Sequence, residues 1–318
     1  MTTRFLHKTV LLHESINGLN IQPGDIYLDG TLGSGGHALQ AVKTAGKVTV
    51  IGLDQDQDAL ARAGERLGLP KEATTLTHAT AHGDVTIILR QANYRDLDTV
   101  LGSLKIAQVN RIMLDLGLSS DQFETSNRGF SFKDNEPLLM TFNKNPHGTL
   151  GMLTAKEIVN EWAEETLADV IYGYGEERYA RRIAKAIVEA RAIHPIRSTQ
   201  ELVEIVKKAT PFTYHHGKIH PATRTFQALR IAVNDELNAL KDGLKKGFEH
   251  LAPGGRMAII SFHSLEDRIV KHFYKEVEFL GEIRQARIIT KKPITPGAEE
   301  LKENPRSRSA KLRIIEKI

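Results

Sequence analysis

Asp25-Ile-Tyr-Leu-Asp29-Gly-Thr-Leu-Gly33-Ser-Gly35-Gly36-His37 decides how the chain is read. An apolar run ends on an acid and breaks into a loop carrying four glycines, and residues 38–44 behind it suit a helix. Strand, glycine turn and helix in this order set unpaired helix N–H groups beside a ligand. Gly33, Gly35 and Gly36 tolerate positive φ and carry no Cβ, so the backbone can approach that ligand closely. Residues 47–54 form a second short strand ending on Asp54, where a βαβ unit sets a carboxylate on ribose hydroxyls. The loop also fits the loose G-x-G-x-x-A pattern of dinucleotide-binding folds, and a bare turn between strands is a third reading. Two details favour S-adenosylmethionine over NAD. Asp29 stands ahead of the glycines, where it can hold an ammonium, and no Arg or Lys directly follows the loop to meet a pyrophosphate.

The 318 residues allow one large domain or two smaller ones. The absence of cysteine excludes disulfides, thiolate metal sites and cysteine nucleophiles. No apolar run reaches the roughly 18 residues of a membrane span and the N-terminus has no signal pattern, so a soluble cytoplasmic protein without membrane contact is expected. The net charge of +4 is uneven, with ten basic against four acidic residues from Arg284 onward. A basic C-terminal tail of that kind suits RNA, and equally suits a solvated end.

Further along, residues 57–67 read as a helix and the polar residues 74–83 as a return to the surface. Tyr94 follows an apolar run, where it can lie on an adenine or fill core. Residues 111–115 are a buried strand whose final Asp115 points to the crevice of Gly35 and Asp54, because ligands sit off the carboxyl ends of parallel strands. The loop of residues 121–132 carries Gln122, Phe123, Arg128, Phe130 and Phe132, as a wall for a base or a plug on the core. Capping boxes at Thr154-Ala-Lys-Glu157 and Ser198-Thr-Gln-Glu201 open helices of an inserted all-helical domain. His215, His216 and His220 lack a completing carboxylate, so no metal is expected. Residues 223–251 read as one long helix, after which a strand at 256–262 resumes the sheet. The expected division is a core at 1–135, a helical substrate-recognition insert at 136–215, and the rest of the core with its basic tail at 216–318.

His7-Lys-Thr-Val-Leu-Leu-His-Glu14, the glycine loop, Leu114-Asp-Leu-Gly-Leu-Ser-Ser120, Arg128-Gly-Phe-Ser-Phe132 and Tyr174-Gly-Glu-Glu177 occur in order. So do His220-Pro-Ala-Thr-Arg-Thr-Phe-Gln-Ala-Leu-Arg230, Ser261-Phe-His-Ser-Leu-Glu-Asp-Arg268 and Asn304-Pro-Arg-Ser-Arg-Ser-Ala-Lys311. In these the chain resembles the bacterial 16S rRNA cytosine-N4 methyltransferase family along almost its whole length. The resemblance implies a Rossmann-like class I methyltransferase sheet with an inserted helical domain, S-adenosylmethionine as cofactor, and the small ribosomal subunit as partner. It implies cofactor contacts at Gly35, Gly36, His37, Asp54, Tyr94, Asp115 and Gln122, and leaves a homodimer open. Pro137-Leu-Leu-Met-Thr-Phe-Asn143 departs from the family's P-L-D-M-R-M-D by two acids and an arginine.

Methyl transfer to an exocyclic amine needs that amine positioned and its protons accepted, since its lone pair is delocalised into the ring. Asp115, Ser261 and His263 are candidates, and no general base is assigned. The competing readings are an NAD-linked oxidoreductase and a non-catalytic RNA-binding protein that keeps the fold.

Overall fold

The computed structural model describes residues 8–80, 83–118, 126–142, 153–217 and 219–318. Contacts divide the chain into two compact units, Met1–Gly117 with Leu237–Ile318, and Leu118–Glu236.

The first unit holds α1 (Leu12–Leu19), β1 (Ile26–Asp29), α2 (Gly36–Ala45), β2 (Val48–Asp54), α3 (Gln57–Arg66), β3 (Thr75–Thr80) and β4 (Gly83–Gln91). After these come α4 (Leu97–Ser103) and β5 (Val109–Asp115). The strands join others from the C-terminal part in one sheet of order β3-β4-β2-β1-β5-β6-β10-β9. Here β6 is Leu251–Ser261, β9 Ala286–Ile288 and β10 Lys311–Lys317. The five strands from β4 to β6 in that order pair in parallel, and β3, β10 and β9 run antiparallel at the two sides. The chain winds outward from β1 through β2 and returns to the other side at β5. The switch point therefore lies between β1 and β5, where an open parallel sheet binds its ligand.

Side-chain alternation builds a core on each face of the sheet. Tyr27, Val50, Ile87, Met113 and Ile260 point to one side, and Leu28, Ile51, Ile112, Leu114 and Ile259 to the other. The stretch expected at the surface, 74–83, does lie there in its described part from Thr74 to His78, and it contains edge strand β3, paired with β4 and tied across by Thr77 and Thr86 hydroxyls 3.1 Å apart. Its Thr-rich sequence has β propensity but no clean apolar alternation. The expected basic tail also becomes structure, because Leu312, Ile314 and Ile315 are buried in β10 between β6 and β9. Arg313 and Lys311 bond Asp267, and Arg287 bonds Glu316, so part of that positive charge is paired.

The second unit carries α5 (Ala155–Glu161), α6 (Glu164–Gly175), α7 (Ala180–Ile193), α8 (Thr199–Ala209) and α9 (Thr223–Asn234). The Thr154 box forms, with Glu157 accepting from the Thr154 N–H at 2.6 Å. Ser198 caps α8, while Glu201 reaches back to the Arg197 N–H. One apolar cluster joins Ile158, Leu167, Ile183 and Leu202 to Phe130, Phe226 and Leu229. The unit is wider than residues 136–215 because Phe130 before them and α9 after them share that core. The long helix expected at 223–251 is broken at Asp235, which takes φ 49, into α9 and α10 (Glu236–His250). Arg230 grips Glu236 through two bonds of 2.7 and 2.9 Å across the break. The remaining elements are α11 (Ser264–Glu278), the hairpin β7 (Phe279–Leu280) and β8 (Ile283–Arg284), and α12 (Ala298–Glu303). No helix among the described residues is long and apolar enough to cross a membrane.

Candidate functional site

The crevice is built from the carboxyl ends of β1, β2 and β5. Past Asp29 the Gly30 N–H donates to the Met113 carbonyl, and Thr31 Oγ1 accepts from the Asp115 N–H at 2.6 Å, which locks the loop between two strands. Gly33 turns at φ 53 and Gly35 at φ 75, and α2 begins at the next residue. Gly36 is needed for another reason: a Cβ there would collide with Thr9 Oγ1, so the segment before α1 lies directly on the loop. His37 is buried under the same segment. Its Nε2 faces the Val10 carbonyl at 3.2 Å, and since a carbonyl only accepts, Nε2 carries a proton. Its Nδ1 lies 4.0 Å from Asp115 Oδ2.

Three carboxylates converge here and each is held in its neutral direction. Burial pushes Asp29 up to about 7, although bonds from Tyr27 and Thr31 work against it. Burial pushes Asp54 up to about 6 against bonds from the Asp56 and Gly33 N–H groups, both 2.8 Å. Asp115 is raised well above the usual carboxylate range by burial, then by the charges of Asp29, Glu266 and Glu300. An arrangement of this sign repels a pyrophosphate and is relieved by a cation.

Asp29, expected to meet an ammonium, is only 1% exposed and spends its oxygens on the Tyr27 hydroxyl and the Thr31 N–H. Asp115 is the less enclosed acid: its side chain is 22% exposed, and its buried Oδ1 has no hydrogen-bond partner among the described residues. Gly35, Gly36, His37, Asp54 and Asp115 are thus brought together, and their cradle plus an unpartnered carboxylate oxygen fits the amine-bearing, phosphate-free S-adenosylmethionine. Tyr94 reaches the same strand end, with its Cβ against Gly30, but its ring lies on α10 where Gly243 leaves room for it. Gln122 lies outside the described residues.

Other expectations resolve differently. Ser261 is buried, with its hydroxyl directed to the Lys311 carbonyl at 3.4 Å. His263 sits at the end of β6 with Nε2 3.1 Å from Glu266, whose other oxygen accepts the Phe262 N–H. The loop 128–132 is a plug on the core of the second unit. Phe130 is 6% exposed and stacked on Phe142, and Arg128 donates to the Thr141 and Phe142 carbonyls. That aromatic face follows from burial, which a local sequence of Arg and Phe does not reveal. Phe130, Phe132, Met140, Phe226 and Gln227 line a cavity of about 150 Å³ there. Among the described residues no group of three or more potential metal ligands occurs. Sequence reasoning missed Thr9 and Val10 as the cover of the loop. It also missed Glu266 and Glu300 as charges facing Asp115, because both lie far away along the chain.

The chain is 44% identical over 328 residues to the ribosomal RNA small subunit methyltransferase H of Heliobacterium modesticaldum, aligning 99% of each. It is 45% identical to the protein of that name from Pelobacter propionicus, again over 99% of each. With the one from Synechocystis sp. the identity is 46%, covering 99% of this chain and 94% of the relative. The model of the MraW methylase family matches residues 4–318, and with essentially every residue accounted for the chain belongs to that family and is a methyltransferase.

Proposed function

We propose that the chain methylates the exocyclic N4 amine of a cytidine in the decoding region of small-subunit ribosomal RNA, working in the cytoplasm. The observation that carries this is the match of residues 4–318 to a methylase family whose relatives bear a small-subunit ribosomal RNA methyltransferase name. The donor is S-adenosyl-L-methionine, which when bound supplies a sulfonium methyl group. Gly35, Gly36 and His37 hold it at the start of α2, Asp54 accepts from its ribose, and Asp115 faces its cationic end; Tyr94 and Gln122 complete the set.

The protein's part is positioning and charge. Placing amine and methyl carbon roughly 3–3.5 Å apart supplies most of the acceleration. The acid-rich wall of Asp29, Asp115, Glu266 and Glu300 favours positive charge at this strand end. The residues of the second unit bind the RNA.

The test is methyl transfer from labelled S-adenosylmethionine to small ribosomal subunits, followed by nucleoside mass spectrometry. Appearance of N4-methylcytidine supports the reading. Methylation at another base or another cytidine atom, or none in a protein that binds the donor, rejects it.

A further inference from the structure

The second unit carries a surface on which aromatic rings and cations alternate. Its turn at Phe212–His216, between α8 and α9, presents Phe212 with 74% of its surface exposed. His216 stands edge-on to that ring at 4.7 Å. Beside it Tyr214 is pinned by its hydroxyl, which donates to the fully buried Glu177 at 2.5 Å, while Glu177 also takes the Tyr179 N–H. Tyr179 meets Tyr214 edge to face at 5.0 Å. Arg178 lies over both rings, at 4.7 and 5.2 Å, and Arg182 over Tyr179 at 5.8 Å. Lys207 and Lys208 end α8, and Arg224 holds the Glu176 carbonyl. Of the acids here, Glu177 is committed to Tyr214 and Glu204 to Lys207, and Glu176 is exposed beside them.

A phenyl ring this exposed contributes nothing to the core, and leaving it in water is unfavourable. Its neighbours exclude a purely apolar partner: guanidinium groups held on aromatic faces and Lys208 at a helix end attract a polyanion with flat faces. Single-stranded RNA has both properties, whereas a duplex hides its base faces.

We propose that Phe212, His216 and the Arg178–Tyr179–Tyr214 cluster form a track for single-stranded RNA, with a base stacked on Phe212 and phosphates drawn to Arg182 and Lys208. The track deepens the ribosomal RNA reading and rests on it. It gives the second unit a stacking platform of its own.

The experiment is fluorescence anisotropy of the full chain with a fluorescein-labelled single-stranded RNA of mixed sequence, over a range of salt. Phe212→Ala is expected to weaken binding roughly tenfold. The Arg182→Ala, Lys208→Ala double variant is expected to flatten the salt slope by about 1.4, at about 0.7 per lost phosphate contact. Both should keep the wild-type melting temperature and S-adenosylmethionine affinity, since all three side chains are exposed. Wild-type affinity and slope in both variants, with intact methylation of small subunits, overturn the track and leave the proposed function standing. Failure of the wild-type protein to bind any RNA overturns both. Equal weakening of single-stranded and duplex probes by Phe212→Ala overturns the stacking assignment.

Discussion

Asp54→Ala separates the ligand-binding role of that carboxylate from its structural one. In the folded chain both oxygens are engaged, one by the Gly33 N–H and one by the Asp56 N–H, each at 2.8 Å. Burial nevertheless outweighs those bonds and brings its pKa from 3.8 to about 6. Its removal leaves the Gly33 and Asp56 N–H groups without that acceptor, at roughly 1–3 kcal/mol each, so the melting temperature should fall while the chain still folds. The ligand loses more. Two charge-assisted bonds to ribose hydroxyls, at roughly 1.5–3 kcal/mol each, amount to ~3–6 kcal/mol, a fall of about 10²–10⁴ in affinity for S-adenosylmethionine. The sign of the pH effect follows from the raised value. Between 3.8 and about 6 the folded state binds more protons than the unfolded one, so this group favours folding as the pH falls through that window. The ligand needs the ionised carboxylate, so wild-type affinity weakens as the pH drops through about 6. Calorimetric titration across that range should show a smaller loss of affinity with falling pH in Asp54→Ala than in wild type. A folded variant with wild-type affinity, or with the same loss of affinity as the pH falls, refutes the assignment.

Phe130→Ala should lower the stability of the second unit by roughly 3–5 kcal/mol, read as a drop in urea midpoint, because the ring is 6% exposed and stacked on Phe142. An unchanged midpoint would contradict its place in the core. Gly36→Ala should impair both folding and donor binding, and Thr9→Gly should restore them in the double variant, since the added methyl collides with Thr9. Their coupling energy, about 0.5–3 kcal/mol in a thermodynamic cycle, would be near zero if the segment before α1 did not cover the loop. Asp267→Asn should cost roughly 1–3 kcal/mol by replacing charge-assisted bonds to Arg313 and Lys311 with neutral ones, measured by thermal melting. Burial raises this carboxyl, but Arg313 and Lys311 outweigh it and hold it below the usual 3.8. The stability it gives is present above that value and lost as the pH falls through the lowered one, so the variant should show a shallower acid transition.

Local order was legible along the chain wherever one strong pattern governed it. The run from Asp25 to His37 announced strand, glycine turn and helix, and the strands ending on Asp54 and Asp115 stood out because both faces of a parallel sheet are apolar. The Thr154 capping box was readable because its bonds span three residues. Tertiary structure decided whatever depends on partners distant in sequence. Strand β10 is a strand because β6 and β9 flank it, and its basic side chains find Asp267 and Glu316. The break at Asp235 owes nothing to proline or glycine, and an Arg230–Glu236 ion pair spans it. Phe130 packs into the core of the second unit because helices from residues 155–234 close around it. Most of all, the division of labour among the acids could not be read from strand ends alone. Asp29 and Asp115 end neighbouring strands, yet Tyr27 and Thr31 consume the first, while His37, Glu266 and Glu300 act on the second and, among the described residues, one of its oxygens has no hydrogen-bond partner. Which carboxylate can serve a ligand depends on desolvation and on charges brought near by folding, and neither is a property of local sequence.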